Sequence, residues 1–289
     1  MVEQEQSRQR AETATSTLFL RKVLPHAITV KIGDKLLGQG LSEEGHKQLR
    51  SVLKKILNNQ PIEVSREIPL IYKDSQFTFT CQGQEHIPAS GTTLFIGNHT
   101  RSGPLAGMGQ YFEASRIAYE RRTDVEDHSK REPKAIAQKG LTKVFKLPGG
   151  TRYVWTLPLT EQFYELAADS LNWIVISAPK FDKNGQILNR QNLPQGVVDD
   201  FLGGQALFWY PQGKHMETHD LAMPEKGTSF LTKLKNEDVT IVPVRFIPTD
   251  NVFRIHFGRP VHIQDLPPNG NGQLDINHFA QNHLEPLSG

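Results

Sequence analysis

The sequence predicts an α/β protein: a three-layer αβα domain with a mostly parallel central sheet, preceded by a small helical N-terminal segment. Three observations predict it. TLFIG (93–97), NWIVIS (172–177), QALFWYP (205–211) and VTIVPVRFI (239–247) read as buried strands. Helical stretches alternate with them, and strand–helix–strand alternation is the signature of a parallel sheet. The chain has 289 residues, 37% of them hydrophobic, which suits one large core or a main domain with a small appendage.

In order, residues 1–17 are rich in Glu, Gln, Arg, Ser and Thr and form a disordered lead. Residues 18–60 are the helical N-terminal segment and 61–289 the α/β domain. Leu18 to Val30 is an apolar stretch that Pro25 ends or kinks; it packs on its own domain or lies on lipid. Ser42 to Asn58 is a helix, with Ser42 as N-cap and Leu49, Val52, Leu53, Ile56 and Leu57 at helical spacing. Its outer face carries Lys47, Arg50, Lys54 and Lys55, which suits solvent or anionic headgroups. Residues 61–92 hold short strand-like pieces, PLIYKD and QFTFTCQG above all.

The strand at 93–97 runs into a loop presenting Asn98 and His99, and a helix follows from Leu105 to Phe112. Mixed charges from Glu120 to Ala135 mark a surface excursion. Residues 136–152 read as a helix end and a Gly-Gly turn, where Lys139, Lys143, Lys146 and Arg152 offer a cationic wall for an anionic substrate. Beyond them come a helix at 160–171, the strand at 172–177, and a short helix at 194–202 with Pro194 near its start. The strand at 205–211, a helix at 227–234, the strand at 239–247 and a strand or pair at 251–263 complete the pattern. The Pro-, Gly- and Asn-rich tail winds over the surface.

Composition excludes several classes. With 33 basic against 31 acidic side chains and no basic tract interleaved with aromatics, nucleic acid is not an expected partner. Cys81 is the single cysteine, so no internal disulfide and no Cys-based zinc site exists, and the chain suits a reducing cytosol. No HExxH is present, and His215 and His219 lie in a loop-like KHMETHD, so neither metal nor cofactor is expected. No apolar run reaches the ~18–20 residues of a membrane-spanning helix, and the polar start is no secretory signal.

His99 is the chemical focus. A strand end holds a residue rigidly while its loop opens to ligand, and an imidazole accepts a proton near neutral pH. Five blocks of the chain then resemble, in order, the glycerolipid acyltransferases, which include lysophosphatidate and glycerol-3-phosphate acyltransferases. FIGNHTRSGP is similar to the strand that ends in that family's Asn-His; NWIVIS to its second block; FWYPQGKH (208–215) to its Phe-Pro-Glu-Gly-Thr-Arg strand. EKGTSFLTKL with Val242-Pro243 resembles the Lys-Gly helix start and Val-Pro strand, and IHFGRPV the last strand. The resemblance spans about 85–265. It departs at Pro104, where the family has the aspartate that orients the histidine, at Gln212, where it has glutamate, and at Lys214 and His215, where Thr and Arg are usual. Neutral-lipid acyltransferases of the same superfamily also lack the aspartate, and Gly103-Pro104-Leu105 is closer to their pattern.

The resemblance implies acyl transfer from a CoA or acyl-carrier-protein thioester to an alcohol such as a lysophospholipid, glycerol phosphate or neutral lipid, with His99 as general base. No Gly-x-Ser-x-Gly elbow is present, so direct attack without an acyl-enzyme is expected. Asn98 belongs to the substrate site; backbone N–H groups at Gln212 and Gly213 hold the oxyanion; Arg101, Lys139, Arg152, Lys214 and His215 are the phosphate candidates. Glu113, Glu217 and Asp220 are the candidate carboxylates to replace the missing aspartate. A cytoplasmic chain with peripheral contact at the inner membrane face follows. The alternative readings are a catalytically degenerate fold that binds lipid or a partner, and transfer to a non-glycerolipid acceptor.

Overall fold

The computed structural model describes residues 26–98, 106–138, 142–146, 152–156, 158–176, 193, 195–211, 229–270 and 272–288. The first elements are α1 (His26–Leu37), α2 (Glu43–Leu57), α3 (Val64–Glu67), α4 (Pro69–Tyr72), β1 (Thr78–Gln82) and β2 (Thr92–Gly97). Then come α5 (Ala106–Arg121), α6 (His128–Arg131), β3 (Lys134–Gln138), β4 (Thr142–Lys146), β5 (Arg152–Thr156), α7 (Pro158–Leu171) and β6 (Ile174–Ile176). The last are α8 (Gln195–Leu202), β7 (Leu207–Trp209), α9 (Ser229–Lys233), β8 (Val239–Thr249), β9 (Val252–Phe257), β10 (Val261–His262) and α10 (Ile276–Phe279).

The class is the one the sequence predicts: mixed α/β on a mostly parallel sheet. Its eight strands run β1-β9-β8-β2-β7-β3-β6, with β10 also on β8. β2 pairs in parallel with β7 and β8, and β3 in parallel with β7. β9 and β10 are antiparallel to β8, and β1 follows β9. Two compact units are formed, one from residues 37–48, 63–136 and 192–289, the other from 1–36, 49–62 and 137–191.

The first-named unit holds the parallel strands. Leu94, Phe95, Ile96, Leu207, Phe208, Ile241, Val242 and Val244 are fully buried, as strands covered on both faces require. Ser42 caps α2 as expected: the Gly45 N–H donates to its Oγ at 3.1 Å, and that hydroxyl donates to the Lys73 carbonyl at 2.8 Å. Pro243 sits inside β8 at the rung where the Gly258 N–H, just past β9, donates to its carbonyl at 2.8 Å. With no N–H to give in return, Pro243 leaves that rung one bond instead of two.

In the other unit α1 meets the second half of α2, where Arg50 Nη1 donates to Asp34 Oδ2 at 2.8 Å. α7 ends in a Schellman turn: Asn172 is left-handed (φ 54°) and the Trp173 N–H reaches the Ala168 carbonyl at 2.8 Å. β4 and β5 form an antiparallel hairpin of their own.

Several expectations are corrected. PLIY is a helical turn, not a strand, because Pro69 at its first position presets the helical φ. Residues 136–152 hold strands, not a helix end, and the helix after His99 runs on to Arg121. Arg122, inside the expected surface excursion, is fully buried. The tail also folds inward: Ile276, Phe279, Ala280 and Leu284 are buried at helical spacing, which its Pro, Gly and Asn content concealed. Among the described residues no helix is long and apolar enough to cross a membrane.

Candidate active site

β2 lies between β7 and β8, and the register sets three of the sequence blocks side by side. Ile96 pairs with both Trp209 and Pro243. The chain thus leaves β2 at Asn98 and leaves β7 at Tyr210 and Pro211 from adjacent, parallel strand ends. The carboxyl edge of a parallel sheet is where α/β folds bind ligands, because loops there are free to vary over a rigid frame.

Asn98 is 2% exposed and its amide is fully engaged. Nδ2 donates to the Phe246 carbonyl at 3.0 Å, and the Phe246 N–H donates to Oδ1 at 2.7 Å. Backbone pairing of β2 with β8 stops at Gly97 and Val244, while β8 runs on to Thr249. The side chain of Asn98 therefore supplies the next rung of the ladder. It satisfies two backbone groups that would otherwise be buried and unpaired, and it fixes the direction in which the chain departs toward His99.

Beneath this point lies an aromatic layer. Ring centroids of Phe208 and Tyr210 are 5.3 Å apart, those of Phe208 and Phe246 5.9 Å, and Tyr111 meets Phe208 edge-on at 5.4 Å. Gly97 lets β2 cross it: a Cβ there would stand 2.9 Å from Phe246 Cε2 and 3.1 Å from Phe208 Cε1. Burial, with a smaller contribution from Tyr111, pushes the Tyr210 phenol well above its usual range, so it stays protonated and is no general base.

The opposite ends of the same strands are held by Arg122. Nη1 donates to Thr93 Oγ1 at 2.7 Å, and Nη2 to the carbonyls of Gly91 and Gly204 at 3.0 and 3.2 Å. No carboxylate partners it among the described residues, and burial lowers its pKa to about 10. α5 thus ends in a clamp that fixes where β2 begins.

Of the predicted site residues, Asn98 alone has a described side chain. His99, Arg101, Lys139, Gln212, Gly213, Lys214 and His215 lie outside the described residues, as do Glu217 and Asp220. Arg152 opens β5, opposite Lys146 in the hairpin. Glu113 is committed elsewhere: Arg116 grips it with Nε and Nη2 at 3.0 and 2.6 Å. The Cys81 thiol is pushed up to about 12, chiefly by burial and then by Glu113, and is no nucleophile at neutral pH. Sequence reasoning missed Arg122 and the Phe246 backbone. An arginine in a charged run carries no mark of burial, and a main-chain partner 148 positions away carries none at all.

No protein-family model matches the chain, and no curated protein matches it. Among solved structures it is similar to the crystal structure of the 1-acyl-sn-glycerophosphate (LPA) acyltransferase PlsC from Thermotoga maritima. The identity is 12% and the TM-score 0.40, over 95% of this chain and 92% of that chain.

Proposed function

We propose that the chain is an acyltransferase that moves a fatty acyl group from a CoA or carrier-protein thioester to an alcohol, lipid alcohols first among them. What supports the reading is the register of β2 on β7, which brings the Asn98 and Pro211 blocks to neighbouring strand ends although more than a hundred residues separate them. His99 takes the proton of the acceptor hydroxyl as its oxygen attacks the thioester carbonyl. The tetrahedral oxyanion is held by backbone N–H groups at Gln212 and Gly213, then collapses. The C–S bond breaks, and the departing thiolate takes back the proton from the imidazolium. Asn98 acts as a positioning residue, since its amide is spent on Phe246. Arg101, Lys214 and His215 meet phosphate on donor or acceptor, while Lys139 and Arg152 enter this reading from the sequence alone. Contact with a membrane surface and a cytoplasmic location belong to the same proposal.

One observation favours a second reading, a lipid- or partner-binding protein on this fold. Pro104 and Gln212 remove two carboxylates, and Glu113 is occupied by Arg116. Thiol release from acyl-CoA and from acyl-carrier protein, measured against a set of acceptor alcohols, separates the two. Release that needs an acceptor and disappears in His99→Ala is expected. Release indifferent to His99, or none with either donor, overturns the transferase.

A further inference from the structure

β1 is an outer strand of the sheet, and β9 is its one neighbour among the described residues. The Thr78 N–H donates to the Asn251 carbonyl across that pairing at 2.9 Å, so Thr78, Thr80 and Gln82 turn their backbone groups toward β9. Phe79 and Cys81, which alternate with them, turn theirs outward. Among the described residues no hydrogen bond reaches those outward N–H and C=O groups. A row of this kind is a template for a further strand.

Strand edges left to solvent are ordinarily blunted by a lysine, a proline, a bulge or an inward-pointing charge. β1 carries none of these. Residues 76–82, QFTFTCQ, hold no charged side chain and no proline. The register on β9 runs one for one from Thr78 to Gln82, without a bulge. Bare backbone fixes the class of occupant as an extended strand, and the sequence of β1 fits a second copy of itself. Antiparallel pairing centred on Thr80 uses the whole strand. It sets Phe79 opposite Cys81 of the second copy, and these outward residues exchange N–H···O bonds in both directions. It also sets exposed Thr80 against Thr80 and exposed Thr78 against exposed Gln82, pairs that hydrogen-bond across strands. At the ends, exposed Lys73 and Asp74 of one chain come level with exposed Glu85 and half-buried His86 of the other. Lys73 then meets an acid and Asp74 an imidazole, so the charges at both ends are complementary.

From the unpaired edge, its lack of any blunting residue and its self-complementary register, we infer that two copies of this chain pair antiparallel through β1, about a two-fold axis at Thr80. The same strand serves both copies, so the contact closes as a dimer and leaves no β1 edge to recruit a third. A strand of five residues makes a small interface, and the dimer is therefore weak and concentration-dependent. The inference concerns assembly alone and stands whether or not the chain proves a transferase.

The test is sedimentation velocity of the full chain under reducing conditions from about 5 to about 500 μM, a range suited to a small interface. A monomer–dimer equilibrium is expected, and a monomer throughout overturns the inference. Thr80→Lys sets two like charges directly opposite each other and should weaken the dimer about fivefold or more; an unchanged dissociation constant overturns it. Register is read by cross-linking in a Cys81→Ser background. Thr80→Cys brings its thiol opposite that of the second copy and should give a disulfide dimer with oxidised glutathione. Thr78→Cys should not, because it stands four residues along the strand from its counterpart, about 13 Å away and beyond disulfide reach. Thr78 and Thr80 are both exposed, so neither substitution disturbs the core. Equal cross-linking of the two, or of neither, overturns the inference.

Discussion

Replacing Asn98 tests the geometry of the candidate site most directly. Asn98→Ala removes both bonds to Phe246 and leaves a buried N–H and a buried carbonyl without partners. An unsatisfied buried group costs ~1–3 kcal/mol, so two of them, with some relaxation, should cost about 3 kcal/mol. Asn98→Asp keeps the shape and the acceptor for the Phe246 N–H, but sets a carboxylate oxygen against the Phe246 carbonyl 3.0 Å away. Burial and that carbonyl raise the folded-state pKa of the new acid above its unfolded value. The resulting stability is present below the unfolded pKa, where the protonated oxygen donates to the carbonyl, and is lost as pH rises through the folded pKa. Urea unfolding of wild type, Asn98→Ala and Asn98→Asp at about pH 5 and about pH 8 reads both effects. The Asp variant should lose more stability at the higher pH, while the Ala variant should lose the same at each. An Ala variant within about 0.5 kcal/mol of wild type, or an Asp variant with no added pH dependence, would refute the claim that this amide locks the strand end.

Gly97→Ala should cost about 1–3 kcal/mol through overpacking against Phe246 and Phe208, read as a lower urea midpoint; an unchanged midpoint would mean that the aromatic layer gives way freely. Arg122→Met strips the donors from Thr93, Gly91 and Gly204 and should destabilise by about 2–4 kcal/mol. Thermal unfolding at wild-type temperature would show the clamp to be dispensable. Glu132 is raised to about 7 by burial, with Glu63 adding to the shift against an opposing hydrogen bond from the Ser65 N–H. Its contribution is therefore fully present below about pH 4.5 and is lost as pH rises through about 7. Glu132→Gln should flatten stability between those limits and gain about 3 kcal/mol over wild type at pH 8; a parallel pH profile for the two proteins would sink this.

The elements that were legible from sequence are those in which local pattern and tertiary environment agree. Ser42 and the leucine stripe of α2 mark a helix that the structure caps and buries as read. The apolar runs at 93–97 and 239–247 became β2 and β8 because a covered strand needs nothing but apolar residues. PLIY failed because four apolar residues carry no period, so Pro69 decided the outcome. The lysines of 136–152 suggested a surface wall, but local sequence does not reveal that Thr142 to Lys146 pairs with Arg152 to Thr156 across a Pro-Gly-Gly. At the site, the type and place of Asn98 were readable, since a polar residue ending an apolar strand stands out. Its partner was not, because hydrogen bonding to a backbone group imposes no side-chain identity on Phe246.

Why the site blocks are so far apart in sequence follows from the order in which the sheet is laid down. After β2 the chain moves outward, past the place β7 will take, to β3 and then to β6. It returns to fill the gap with β7, and only then crosses to the other side of β2 with β8. Two consequences follow. β2 becomes a central strand flanked by later arrivals, so the position of its end depends on contacts that no nearby residue can make. It therefore needs fixing at both ends, by Arg122 below and by the Asn98 amide above. Such fixing matters where a base must meet a reacting hydroxyl within a fraction of an ångström. In the proposed reaction, with no carboxylate at position 104, the direction in which β2 releases its chain would carry more of the burden of aiming His99. An amide with both ends bonded to a neighbouring strand supplies that direction at no cost in charge.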